Sequence, residues 1–298
     1  MSDTAALDMR AAVGKSRTAE SEITAWPADV LAATLDRDDA PHKPGDPLPA
    51  GWHILYFPEV VKLADTGPDG HARMGDFLPA LPGYPRRMWA STKTTFLSPL
   101  KVGDKIRRVS TVADVAPKEG KTGRMVFTTL RHEISGPAGL AVVEELSVVY
   151  RPPTEATSGA APAAASPARG GAATPPVPPA TPVWQRTIAP TPVLLFRFSA
   201  LTMNSHRIHY DRPYTMEQEG YPGLLVHGPL TSTLLYDLFR RGLPRARLSE
   251  ATVRAQAPIY DTAPFALAGA PEPGGSSAVC WATAQGRVAM TLNVKYAG

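Results

Sequence analysis

Cysteine is almost missing from this chain. Its 298 residues include one, Cys280, so neither an internal disulfide nor a cysteine-based zinc site is available. Long apolar runs are missing as well. None reaches the roughly 20 residues that a membrane-spanning helix needs, and Met1 to Ser16 contain no apolar leader core. The expectation is a cytoplasmic protein without membrane contact. An excess of one charge is also lacking: the net charge is +4, with no dense Lys/Arg block. Nucleic-acid binding would call for a basic stripe interleaved with aromatics. A mild positive field suits a small anionic substrate instead.

What the chain does have is an ordinary apolar content of 43%, enough for a sizeable core. Its length holds one large or two medium domains. Proline is abundant, and residues 151–182 are almost entirely Ala, Pro, Gly, Ser and Thr. Such a segment lacks the large apolar groups that offset ordering entropy, so it reads as a linker. The expected organisation is a frayed 1–22, an N-terminal domain 23–150, the linker 151–182 and a C-terminal domain 183–298.

In the first half, residues 27–38 read as a short helix starting at Pro27. Residues 52–57 are an apolar aromatic run, either a strand or the lead into a helix, and Pro58 to Ala64 allow one or two helical turns. Residues 66–86 are rich in Gly and Pro with no clear period; a long irregular loop inside a compact domain is often functional. Strands are expected at 88–98, 105–115, 123–134 and 140–150, and a run of strands without intervening helices points to an antiparallel meander. The second half repeats the plan. Pro258 to Asp261 sits between strands as Pro99 to Asp104 does, and Leu292 to Tyr296 echoes Leu146 to Tyr150.

The stretch densest in chemistry runs from Phe196 to Leu230 and holds three of the seven histidines, His206, His209 and His227. Phe196 and Phe198 read as a short strand. Asn204 to Asp211 then form a polar elbow, and Val226-His227-Gly228-Pro229-Leu230 leads into a helix. Pro229 suits a first helical position, and Leu230, Leu234, Leu235, Leu238 and Phe239 share one face. Arg240, Arg241 and Gly242 suit the C-terminal end. A helix from about Gly228 to Arg241 follows, and its free N–H groups near Gly228 would receive a developing oxyanion.

This stretch resembles the MaoC-like, R-specific hydratase/dehydratase branch of the hot-dog superfamily. The signature there is Asp-x-Asn-Pro-x-His, followed by a His-Gly pair that opens the central helix. His209 matches the final histidine, and His227-Gly228 matches the pair. Asn204 stands for the aspartate, His206 for the asparagine and Arg207 for the proline. The form Asn204-Ser205-His206-Arg207-Ile208-His209-Tyr210-Asp211 is similar to a narrower group, the mesaconyl-C4-CoA (3-methylfumaryl-CoA) hydratases and their mitochondrial dehydratase relatives. Pro47-Leu48-Pro49, Trp52 to Phe57 and Pro85 to Ala90 agree with that group.

The resemblance implies an α+β double hot-dog: two antiparallel sheets, each curved around a helix, with the helix degenerate in the first half and space left for a substrate tail. It implies a cofactor-free hydro-lyase acting on an enoyl-CoA thioester, here mesaconyl-C4-CoA hydrated to citramalyl-CoA. Other readings stay open: a 3-hydroxyacyl-CoA or 3-hydroxyacyl-carrier-protein dehydratase of other range, a hot-dog thioesterase, or a non-catalytic acyl-binding protein. The partner is an acyl-CoA, with a homo-oligomer also open.

His209 is the first candidate for acid/base work, because imidazole exchanges protons near neutral pH. Asn204 cannot be a base and is expected to orient water. His206 takes the second place, and the Gly228 N–H is the oxyanion donor. His227 shapes the turn. Asp211 either steadies His209 or pairs with Arg207 or Arg212. Arg197, Arg207 and Arg212 are candidates for CoA phosphates or a substrate carboxylate, and Tyr221 for the pocket wall. His206 and His209 lie at metal-ligand spacing, but no third ligand accompanies them and no metal is expected.

Overall fold

The computed structural model describes residues 11–73, 77–78, 81, 84, 86–120, 123–152 and 178–298. In chain order these form β1 (Ser16–Glu22), α1 (Ala25–Thr34), β2 (Arg86–Phe96), β3 (Lys105–Gly120), β4 (Gly123–Gly136) and β5 (Gly139–Arg151). The second half supplies β6 (Trp184–Ile188), α2 (Pro192–Thr202), α3 (Gly228–Gly242), β7 (Arg247–Ala255), β8 (Phe265–Pro271), β9 (Ser277–Ala284) and β10 (Arg287–Ala297).

The strands lie in the order β1-β3-β4-β5-β2-β7-β10-β9-β8-β6. Read from each outer edge inward, the halves have one topology: β6, β8, β9, β10 and β7 repeat β1, β3, β4, β5 and β2. The repeat suspected from Leu146 to Tyr150 and Leu292 to Tyr296 is therefore a repeat of fold. The expectation of two sheets needs correction. The inner strands β2 and β7 pair antiparallel from Ser91↔Arg254 to Thr95↔Glu250, so one ten-stranded sheet runs through both halves. Pairing satisfies the backbone groups that two inner edges would otherwise expose.

The helix over Gly228–Gly242 forms as its sequence predicts. Leu230, Leu234, Leu235, Leu238 and Phe239 are all at most 3% exposed, and they share one core with Ala278, Cys280 and Ala282 of β9 and Leu292 and Val294 of β10. Each leucine or phenylalanine buried on this face stabilises the fold by about 1.5–3 kcal/mol. Small residues on the sheet let the helix come close. A Cβ on Gly242 would lie 2.3 Å from the Trp184 ring, so glycine is required where the helix ends against β6.

Other local readings shift. Phe196 and Phe198 lie in a helix, not a strand. Thr191 caps α2 by accepting from the Leu194 N–H at 3.2 Å, with Pro192 in the first turn. Residues 52–57 are neither strand nor α-helix but contain a 3-10 turn over Trp52–Tyr56, and the next such turn is Leu63–Asp65. The first helix spans Ala25–Thr34 rather than 27–38. The β3–β4 hairpin is longer than expected and carries a bulge between Val112 and Asp114. Most of the expected linker, residues 153–177, lies outside the described residues.

A buried carboxylate ties the halves together. Asp237 on α3, with its side chain fully enclosed, accepts from Arg37 at 2.6 Å, Arg186 at 3.1 Å and Arg241 at 2.7 Å. Arg186 and Arg241 each also donate to the Leu35 carbonyl at 2.9 Å. They thus satisfy the C-terminal end of α1, where backbone oxygens lack intrahelical donors. Among the described residues no helix is long and apolar enough to cross a membrane.

Candidate active site

The loop between α2 and α3 folds back on itself so that two of its histidines meet. Leu225 N–H donates to the Ile208 carbonyl at 2.9 Å, and Val226 N–H to the Ile259 carbonyl at 2.8 Å. This pairing sets His209 against His227, with ring centroids 3.7 Å apart and planes 19° from parallel. His209 Nδ1 lies 2.7 Å from the Leu225 carbonyl oxygen. A carbonyl only accepts, so Nδ1 carries the hydrogen and Nε2 is left as a free base.

Burial dominates the electrostatics. His209 is 6% exposed, and desolvation pushes its pKa down to about 4, against an opposing pull from the Leu225 carbonyl and with a further downward push from His71. Desolvation likewise takes His227 down to about 2, helped by His209 and His206. Both rings are neutral at neutral pH. His227 Nε2 lies 2.8 Å from Ser199 Oγ on α2, and Phe198 meets the ring edge-on at 5.2 Å. His227 is thus clamped between α2 and His209 at the start of α3.

Gly228 opens α3, where the first N–H groups have no intrahelical acceptor. Trp89 of β2 covers it: a Cβ at position 228 would be 3.0 Å from Trp89 Cε3. Trp89 is fixed in turn by its indole N–H, which donates to Thr92 Oγ1 at 2.8 Å. A residue of the first half therefore roofs the helix start of the second.

The first half also reaches the loop directly. Arg207 N–H donates to the Asp69 carbonyl at 2.8 Å and Ser205 Oγ to the Gly70 carbonyl at 2.6 Å. Gly70 has φ +89°, and a Cβ there would overlap the Ser205 carbonyl oxygen; glycine alone permits this approach. His71, next in the chain, places its ring 4.1 Å from that of His206, which meets His209 edge-on at 5.6 Å. Four imidazoles from both halves thus run in a row, His71, His206, His209 and His227. Among the described residues no three His, Cys, Asp or Glu side chains gather as a metal-ligand set. A cavity of about 400 Å³ lies beside the row, lined in part by His71, Asn204, Ser205, Phe198 and Pro229.

The other sequence candidates are placed as follows. Asn204 Oδ1 accepts from the His206 N–H at 3.1 Å and lies on the cavity wall. Asp211 does not steady His209. It binds Arg207 at 2.7 Å and the Tyr214 N–H at 3.1 Å, and these partners, the backbone N–H first, hold its carboxyl below the usual range. The three arginines are engaged elsewhere. Arg207 also donates to the Pro68 carbonyl at 3.0 Å and covers the Tyr214 ring, Arg212 pairs with Asp261, and Arg197 donates to Thr34 Oγ1 at 3.0 Å on α1. Tyr221 packs 5.9 Å from Tyr260. None of these four lines the cavity. Ser199, Leu225 and His71 carry no signal of their own: Ser199 merely follows the Phe196–Phe198 run, and His71 lies in a loop marked only by its irregularity.

A double hot-dog with a histidine-bearing loop ahead of a His-Gly helix start is the scaffold of the MaoC-like hydratases and dehydratases. The family model of hydroxyacyl-thioester dehydratase type 2 matches residues 51–261, and the chain belongs to that family. Among its relatives, the mesaconyl-C(4)-CoA hydratase of Chloroflexus aurantiacus is 39% identical over 264 residues, 89% of each chain. The mitochondrial hydroxyacyl-thioester dehydratase type 2 of Schizosaccharomyces pombe is 43% identical over 56 residues, 19% of each chain. Among solved structures, a MaoC-like dehydratase superposes with a TM-score of 0.68 at 16% identity, covering 97% of this chain and 100% of its own. A Mycobacterium tuberculosis protein described as having a double hotdog fold gives a TM-score of 0.52 at 14% identity, covering 95% of this chain and 96% of its own. At these identities the structures speak for the fold.

Proposed function

We propose that this protein is a cofactor-free hydratase that adds water to mesaconyl-C4-CoA, or a closely similar branched enoyl-CoA, giving the citramalyl thioester. The observation that carries the reading is the His209 imidazole, fixed by the Leu225 carbonyl with Nε2 unprotonated, close to the start of α3. The substrate assignment draws on the Chloroflexus aurantiacus relative.

His209 Nε2 takes a proton from water, and the water oxygen bonds to the β-carbon of the enoyl group. The π electrons move toward the thioester oxygen, where the Gly228 N–H and the helix dipole stabilise the negative charge. The imidazolium then returns a proton to the α-carbon. One water is added and nothing is oxidised or reduced. Asn204 holds the water by its amide and takes no proton.

The test is to follow loss of enoyl-thioester absorbance with mesaconyl-C4-CoA and a panel of other enoyl-CoAs. Hydration of mesaconyl-C4-CoA at the highest kcat/KM in the panel is expected. Release of free CoA thiol without hydration would make the protein a thioesterase, and binding without turnover would make it an acyl-binding protein.

A further inference from the structure

A second cavity, of about 710 Å³, lies at the other end of α3. It is larger than the cavity beside the histidines, and the two share no lining residue. Its walls are apolar: Leu48, Trp52, Leu100, Val142 and Phe239 are each at most 9% exposed. Three guanidiniums also line it, Arg240 from the last turn of α3 and Arg245 and Arg247 at the entry to β7. Arg245 and Arg247 are exposed, whereas His53 on the wall is buried. The cations therefore mark the mouth and His53 the inner end.

The internal repeat accounts for the place of this cavity. The Trp52–Tyr56 turn precedes β2 in the chain as α3 precedes β7. The candidate active site lies where the start of α3 meets Trp89, near the start of β2. Its counterpart lies where the Trp52–Tyr56 turn meets the start of β7, and Trp52, Arg247 and Leu248 all line the second cavity. The histidine row stands at the first of these places and the guanidiniums at the second.

We propose that this cavity is a second ligand site, which takes an amphiphilic anion: an aliphatic chain along the apolar walls, and a carboxylate or phosphate group at the three arginines. The site does not rest on the hydratase reading. Its charges set the orientation of the ligand. Arg240 lies between Asp39, 2.8 Å from Nη2, and the Trp52 ring, 5.3 Å from Cζ. Its Nη1 is buried with no hydrogen-bond partner among the described residues, a donor that calls for an acceptor. Asp237, the carboxylate in the lining, is satisfied by Arg37, Arg186 and Arg241. The inner end repels anions. His53 Nε2 lies 3.1 Å from Glu144, and against the upward push of burial His53 holds that carboxyl down to about 2. A headgroup is thus favoured at the mouth and a chain inside.

The experiment titrates decanoate, decyl phosphate and decan-1-ol into the full-length protein by calorimetry. The anions should bind at one per chain, tighter than the alcohol by about 10-fold or more, and the better of the two identifies the headgroup. Replacing the two exposed arginines together, Arg245→Gln with Arg247→Gln, should weaken the anions by about 10- to 100-fold, the worth of charge-assisted hydrogen bonds. Binding of decan-1-ol should not change in that variant. Leu97, on the same lining, is 56% exposed, and Leu97→Glu should weaken both anions by adding a negative charge. Val61→Trp, in the wall of the cavity beside the histidines, should leave all three titrations unchanged. No saturable binding of either anion, equal binding of anions and alcohol, or anion binding untouched in both the arginine and the Leu97 variants would overturn the proposal. So would loss of binding in folded Val61→Trp, which would place the ligand beside the histidine row.

Discussion

The imidazole of His209 lies flat on that of His227, 3.7 Å away. Two buried rings in that contact do not both hold protons, because each cation would repel the other and neither has water to screen it. In the proposed mechanism His209 therefore serves as a base well below the pH at which a free imidazole titrates. The acidic limb of kcat/KM, which reports the free enzyme, should fall near the His209 pKa of about 4. A limb near 6.5, the ordinary histidine value, would show that the base is a solvated group elsewhere.

His209→Ala should lower kcat by about 10²–10⁴-fold, the usual worth of a positioned general base, with the fold intact by circular dichroism. Asn204→Asp keeps the oxygen that accepts the His206 N–H but adds a negative charge. It should be slower on mesaconyl-C4-CoA and less impaired on 3-methylcrotonyl-CoA. Near-normal turnover in folded His209→Ala would remove the imidazole from the mechanism.

Gly228→Ala sets a methyl group 3.0 Å from the Trp89 ring. Either the ring or the helix start must give way, and kcat should drop more than KM rises because the oxyanion donor is displaced. Removing the ring should relieve the clash, so Gly228→Ala and Trp89→Ala should be non-additive in a double-mutant cycle, with a coupling of about 0.5–3 kcal/mol. Strict additivity would mean that the two do not touch.

Asp237→Ala removes the buried carboxylate shared by three guanidiniums, although Arg37 keeps Asp39 and Arg186 and Arg241 keep the Leu35 carbonyl. Breaking such a buried network costs about 3–5 kcal/mol, read as a lower denaturation midpoint at an unchanged m-value. Because Asp237 lies at the far end of α3 from His209, kcat of the folded variant should stay close to normal. A variant of ordinary stability would show that the network contributes nothing to holding the halves together.

Stability should fall on acidification earlier than carboxylates alone explain. Burial depresses His209 and His132 to about 4 and His227 to about 2. Each folded-state value is below the unfolded one, so the unfolded chain takes up protons first. Stability is complete above about pH 6.5 and declines as pH falls toward 4, by up to about 1.4 kcal/mol per pH unit for each histidine. Denaturant midpoints at pH 7.5, 6 and 5 check this; a flat profile would show these rings to be solvated.

The parts that could be read in the sequence are those whose cause is local. The α3 helix declares itself through leucines at helical spacing, Pro229 and the terminal arginines, the strands of the first half through their alternation, and the last strand of the second half through its likeness to Leu146 to Tyr150. Phe196 and Phe198 misled because alternation over so few residues does not separate a strand from a buried helix; the Thr191-Pro192 cap was the better guide. The contacts that build the site from the first half were not legible. Gly70 meets Ser205 across 135 residues, and Trp89 meets Gly228 across a similar span. Nothing in the spacing of either partner encodes the other. The sequence leaves Asp211 open between steadying His209 and pairing with Arg207 or Arg212, and the structure decides for Arg207, four residues before it.

The seam between β2 and β7 joins the same strand of the two repeats in antiparallel register, the arrangement of a two-fold homodimer interface. In a homodimer every change to one partner is imposed on the other, so a side that discards its helix discards both. Fusion into one chain lifts that constraint. The second repeat carries α3, while the described residues of the first present a different surface to it, with Trp89 above the helix start and the Gly70 turn against the loop that bears His209. The covalent asymmetry lets a substitution in one repeat act on the candidate site without being mirrored in the other.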